Sequence, residues 1–292
     1  MPVARTDDGV ALHYEEAGDG LPIVFVHEFA GDHRSWEPQM RHFARRYRCL
    51  VFAARGYPPS DVPEDPEAYS QARAADDIAA VMDAAGIGAA HVVGLSMGGF
   101  ATLHFGLRHA DRALSLTICG VGYGAERERA EQWRQESHAA ADRLDSDAAG
   151  FAESYARSPA RLAFLDKDPR GWAEFRDRLA ARPPAGPSRT MRGVQARRPS
   201  VYDLEADLAA MAVPSLVVVG DADDHAVVPS LYLKRTIPGA GFWVVPKTGH
   251  TVNLEEPDAF NAVVGEFLDR CATGRWIQRH EGEASADVIM NT

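Results

Sequence analysis

Residues 91–100 read HVVGLSMGGF, an apolar run that passes through Gly94, Ser96 and Gly98 as G-x-S-x-G and leads into a helical pattern. A serine at that junction occupies a sharp, strained turn that aims its hydroxyl out of a sheet. The two motif glycines remove side chains that would collide at such a turn, and Gly99 lets the following helix pack closely. The motif therefore demands a buried strand before it and a helix after it.

The rest of the chain repeats that demand. VALHYEEA, after the turn DDG, reads as the second strand of an N-terminal hairpin, and IVFVH follows as a short apolar strand. SWEPQMRHFARRY is amphipathic and feeds RCLVFAA, another buried strand, after which RGYPPSDVPEDP is a proline-rich loop. Residues 70–86 have helical spacing and end at Gly86; HVVGL is the next strand, MGGFATLHFGLRHA the next helix and ALSLTICGV a further strand. Strands apolar on both faces, alternating with helices, predict an α/β fold with a mostly parallel central sheet covered on both sides. The rhythm breaks after Tyr123: residues 125 to about 207 hold no strand-like run, are rich in Ala, Arg and Glu, and read as a helical insertion with a break at RPPAGP. Alternation resumes with PSLVVVGD, a helix near PSLYLKRTI, the strand GFWVVP and the helix PDAFNAVVGEFLDRC. The resulting division is a core of residues 1–123 and 208–271, an insertion at 124–207, and a loosely ordered tail at 272–292.

With 292 residues and 46% hydrophobic content, the chain is long enough for one large α/β domain carrying an insertion. The net charge of -11, with no compensating Lys/Arg cluster, argues against nucleic acid and anionic membrane surfaces as partners. No run approaches the roughly 20 apolar residues that span a bilayer, and the N-terminus has no apolar leader, so a soluble cytoplasmic protein is expected. Cys49, Cys119 and Cys271 are odd in number and read as reduced and structural.

A serine hydroxyl is a weak nucleophile, so the motif requires a histidine base and a carboxylate to orient it, in the chain order Ser, acid, His. LVVVGDADDHAVVP ends a buried strand in an acidic loop, and VVPKTGHTVNLEEP places His250 in a loop before the last helix. His13, His42, His104, His109 and His138 fall on expected strands or helices, whereas His225 lies in a loop beside the acids and stays open as a candidate. No histidine pair has metal-ligand spacing, so neither a metal nor a cofactor is expected.

GLSMGG, the late acidic loop, the GH after the last strand, LEEP beyond it and the helical insertion together resemble the α/β-hydrolase superfamily from the hairpin to about residue 270. The resemblance implies the α/β-hydrolase fold with an inserted helical cap, Ser96 as nucleophile and His250 as base. Its acid, three positions after the strand-ending Gly220, is Asp223, with Asp221 and Asp224 as neighbours. The oxyanion hole is expected from the backbone amides of Phe29 and Met97.

Two departures stand side by side. The family's His-Gly at the end of the second apolar strand is His27-Glu28 here, and its Asp-x-Arg-Gly is AARGY, with Ala53 ahead of Arg55. One reading pairs Glu28 with Arg55; a second turns Glu28 into the pocket to bind a cationic group or activate water; a third leaves it in solvent. The expected activity is a serine hydrolase acting on an ester, lactone or related carbonyl compound of small-molecule size. Alternatives on the same scaffold are a C–C bond hydrolase, a cofactor-free perhydrolase, oxygenase or lyase, and a non-catalytic ligand-binding member.

Overall fold

The computed structural model describes residues 2–277. Eight strands form its sheet: β1 (Val3–Arg5), β2 (Ala11–Ala17), β3 (Leu21–Val26), β4 (Tyr47–Phe52), β5 (Ala90–Leu95), β6 (Ala113–Cys119), β7 (Ser215–Gly220) and β8 (Ala240–Val245). Their order is β1-β2-β4-β3-β5-β6-β7-β8. The hairpin strands β1 and β2 and the β2–β4 pair are antiparallel, and every pair from β4 to β8 is parallel. Strands β5 and β7 are buried at every position, which is why they read as unbroken apolar runs.

Helices cover both faces. On one, α1 (Glu37–Phe43) contributes Met40 and Phe43 to a cluster completed by Phe260, Val264 and Phe267 of the last helix. On the other, α2 (Gln71–Ala84) and α3 (Met97–Arg108) contribute Ile78, Val81, Leu103 and Phe105. The first five of the α-helices between β6 and β7 are α4 (Ala130–Ser146), α5 (Ala148–Ala156), α6 (Pro159–Lys167), α7 (Pro169–Ala181) and α8 (Ala185–Thr190). They carry a third apolar cluster in which Phe151, Phe164, Trp172 and Phe175 join Phe29 and Met97 of the sheet domain. The chain returns through α9 (Glu205–Ala209), α10 (Asp224–Thr236) and α11 (Val252–Glu255) to α12 (Pro257–Ala272). No helix among the described residues is long and apolar enough to cross a membrane.

Three local expectations change. The RPPAGP break is shorter than expected, because α8 starts at Ala185 and takes Gly186 and Pro187 into its first turn, where a proline needs no amide partner. Helix α10 begins at Asp224, five residues before the helix expected near PSLYLKRTI, and holds Pro229 inside its span. The start of the tail is docked rather than loose: Trp276 donates from Nε1 to the Gly239 carbonyl at 2.7 Å and packs edge-on against Phe267. The rest of the expected loose tail, residues 278–292, lies outside the described residues.

Candidate active site

The carboxyl ends of the parallel strands converge, the usual place for a site in an open α/β sheet. Ser96 follows β5 directly and adopts φ 57°, ψ −114°, a left-handed conformation that an L-residue accepts only under constraint. The constraint is local. Its amide donates to the Cys119 carbonyl at 2.8 Å, and its carbonyl accepts from Phe100 as α3 begins. A Cβ on Gly94 would lie 2.1 Å from the Gly98 carbonyl oxygen, and one on Gly98 would lie 2.1 Å from that of Val26. The motif's glycines are thus required by backbone approach on both sides of the turn.

Past β7, Asp223 is fully buried, and its Oδ2 lies 2.5 Å from Nδ1 of His250, in the loop after β8. With Nδ1–H given to the carboxylate, Nε2 of His250 is the nitrogen left for a serine proton. Asp221 and Asp224 are exposed, as is His225, which lies 3.3 Å from Arg129 and packs on Tyr123. Ser96 and His250 line one cavity of about 220 Å³ beneath α4 to α6, together with Phe29, Trp133, Phe151 and Tyr155. No direct hydrogen bond joins Ser96 to His250 among the described residues; they meet as neighbours on the cavity wall.

The loop bearing His250 is fastened by a residue that the sequence reading noted only within LEEP. Glu255 accepts from the amides of Gly249 at 2.7 Å and Thr251 at 2.9 Å, and from the Thr251 hydroxyl at 2.9 Å, bracketing His250 on both sides. The His250 amide itself donates to the Ala160 carbonyl at 2.8 Å, tying the loop to α6.

The amides of Phe29 and Met97 flank the strand ends, and neither has an acceptor among the described residues. Buried, unpartnered N–H groups are rare, and Met97 as the first helical residue has no carbonyl four positions back within its own helix. The loop that presents Phe29 is held from outside: its carbonyl accepts from the Tyr57 hydroxyl at 2.9 Å, and Arg182 donates to the carbonyls of Phe29, Ala30 and Gly31.

Glu28 is a buried, paired charge, but its partner is not Arg55. It is 1% exposed, so it is not in solvent, and it is not among the residues that line the cavity. Both its carboxylate oxygens accept from Arg161 of α6, one at 2.8 Å and the other in a shorter bond. Burial alone would raise the Glu28 carboxyl, but the charge and hydrogen bonds of Arg161 hold it below its ordinary value. Arg55 does not need Glu28: Asp77 of α2 binds it through both oxygens at 2.7 and 2.6 Å, and Asp8 from the hairpin turn adds a contact at 2.8 Å. The carboxylate missing at Ala53 is therefore supplied by α2 and by the hairpin turn. His27 is a structural bridge. Its Nδ1 donates to the Glu28 carbonyl at 2.7 Å, its Nε2 accepts the Ala54 amide at 3.0 Å, and burial lowers its pKa to about 4, so the ring stays neutral.

Known proteins resemble this chain over most of its length. The family model described as alpha/beta hydrolase fold matches residues 22–257. A 3-oxoadipate enol-lactonase of Acinetobacter baylyi is 26% identical over 251 residues, covering 84% of this chain and 88% of its own. A putative carbamate hydrolase of Caulobacter vibrioides is 30% identical over 271 residues, covering 90% and 97%. Among solved structures, a thermophilic esterase from Thermogutta terrifontis superposes with a TM-score of 0.81 at 28% identity, covering 93% of this chain and 98% of that one.

Proposed function

The chain belongs to the α/β-hydrolase family, and on that premise we propose that it is a serine hydrolase cleaving a carboxylic ester or lactone through an acyl-enzyme, with Ser96 as nucleophile, His250 as base and Asp223 as the acid that orients it. The observation that carries this reading is the 2.5 Å contact between Asp223 Oδ2 and His250 Nδ1, made by a ring that lines the same cavity as Ser96. Ser96 Oγ attacks the carbonyl carbon as His250 Nε2 takes its proton, and the amides of Phe29 and Met97 receive the developing oxyanion. His250 then protonates the leaving alkoxide. Water, activated by the same nitrogen, attacks the acyl carbon and releases the acid and Ser96. With a lactone, the leaving oxygen stays attached to the acyl chain and departs with it.

Residues 124–207 are assigned as a cap over a core of residues 1–123 and 208–271, supported by the unbroken helical run and its own apolar cluster. The test is turnover of p-nitrophenyl esters of graded chain length and of simple lactones by wild type and Ser96→Ala. Loss of at least about 10⁴-fold in kcat is expected in the variant, with the far-UV circular dichroism unchanged. Turnover retained at the wild-type level would defeat the proposal.

A further inference from the structure

Four arginines are buried among the described residues: Arg55, Arg161, Arg182 and Arg198. A buried guanidinium is normally paired, because its desolvation is uncompensated otherwise. Three follow the rule. Arg55 has Asp77 and Asp8, Arg161 has Glu28, and Arg182 has Asp32 at 3.6 Å. Arg198 has no carboxylate among the described residues. Its Nη1 donates to the Tyr123 carbonyl at 2.6 Å and its guanidinium stacks 3.6 Å from the centroid of the Phe100 ring, but its Nε and Nη2 are buried with no hydrogen-bond partner among the described residues. Burial pulls its pKa down to about 9, the response of a cation that has lost water without gaining an anion.

The position of this charge gives it a use. Arg198 lines the same cavity as Ser96 and His250, as does Ser137 of α4, whose buried hydroxyl is also without a partner among the described residues. The other arginine on that wall, Arg161, is already neutralised by Glu28. Glu136, exposed to solvent and hydrogen-bonded to Gln132, also lines the cavity, so its charged side chains balance on a count; the buried one without a carboxylate is Arg198, whose unused donors, with that of Ser137, are complementary to an anion. Holding a lone buried cation there costs stability and returns only one bond to a carbonyl and one ring contact.

We propose that Arg198, assisted by Ser137, is a carboxylate-binding subsite of this cavity, so that the preferred ester or lactone carries a free carboxylate on its acyl or alcohol part. The inference rests on reading the cavity as the hydrolytic site. The bound carboxylate supplies the charge that Arg198 lacks and fixes the substrate so that its carbonyl meets Ser96.

The experiment compares monomethyl with dimethyl esters of succinate, glutarate and adipate, which share a scissile bond and differ by one charge. For the chain length that fits best, wild type should favour the monoester in kcat/KM by about ten- to a hundredfold, the range of a hydrogen-bonded charge in a buried site. That ratio should collapse toward one in Arg198→Gln, mainly through KM, and be partly restored in Arg198→Lys. Arg198→Gln should also melt no lower than wild type, because an uncompensated buried charge has been removed. An equal ratio in wild type and Arg198→Gln, or no preference for any monoester in wild type, overturns the subsite. Calorimetric titration of the same esters into Ser96→Ala separates this from the hydrolase reading. Tighter binding of a monoester than its diester, abolished by adding Arg198→Gln, supports the subsite even if no ester is turned over; equal binding overturns it even if esters are hydrolysed.

Discussion

Three neighbouring aspartates, Asp221, Asp223 and Asp224, have almost identical sequence surroundings and very different physical ones. Asp223 is fully buried with one oxygen on His250, whereas its two neighbours are exposed, Asp221 accepting a 3.3 Å bond from the Thr248 amide. Asp223→Asn should therefore lower kcat by orders of magnitude, about 10⁴-fold by analogy with loss of the orienting carboxylate in a serine protease. Asp221→Asn and Asp224→Asn should each stay within about tenfold of wild type, and a steady-state comparison of the three variants checks the assignment. A large loss at Asp224 instead would move the acid by one residue. Ser96 and His250 were legible because a strained strand-to-helix turn needs glycines at fixed spacing and because a base must follow a late strand. The choice of Asp223 among the aspartates came from the family resemblance alone: alternation reports which strand ends in the loop, while which side chain turns inward depends on the loop's own path into α10, which begins at Asp224.

At the scale of elements, the joint between the helical insertion and the sheet domain is made by side chains of α6 and α7 and the loop after α7. Arg161 reaches Glu28, Lys167 reaches Thr248 at 2.9 Å, and Arg182 reaches the loop carrying Phe29. The Glu28 and Arg161 side chains are 1% and 2% exposed, so breaking the pair leaves a charge with no water to receive it. Glu28→Gln should cost about 3 to 5 kcal/mol of unfolding free energy in urea, and Glu28→Gln with Arg161→Met should recover much of that loss, a positive coupling between the sites. The Glu28 carboxyl sits below its ordinary 4.5 when folded, so the pair stabilises the protein above that pH and the contribution fades as pH falls through the lowered value. The variant should accordingly show a flatter acid limb; a loss below about 1 kcal/mol without coupling would contradict the clamp. Sequence periodicity located β2 to β8, and the hairpin turn implied β1, since each depends on nearest neighbours. The partner of Glu28 lay outside its reach, because Arg161 is 133 residues away, on a helix whose own pattern says nothing about the loop it crosses.

For the whole molecule, the arrangement divides labour. The sheet presents Ser96 after β5, Asp223 after β7 and His250 after β8, helices α4 to α6 lie over the cavity that Ser96 and His250 line, and buried ion pairs join these helices and the loop after α7 to the sheet domain. The Met97 amide follows from the same turn that presents the serine, while the Phe29 amide depends on a loop held by Tyr57 and Arg182. The cavity's uncompensated Arg198 was invisible in sequence, where one arginine among many carries no mark of burial. What everything else rests on is that Ser96 becomes covalently acylated. A fluorophosphonate reacts with a serine only where a base and an oxyanion site activate it, so the most direct measurement is intact mass followed by peptide mapping of the labelled wild-type protein. The account expects one adduct per chain, on the peptide containing Ser96, slowed strongly by Asp223→Asn and absent in Ser96→Ala. Folded protein that hydrolyses esters yet carries no adduct on Ser96, or carries it on another residue, would contradict it.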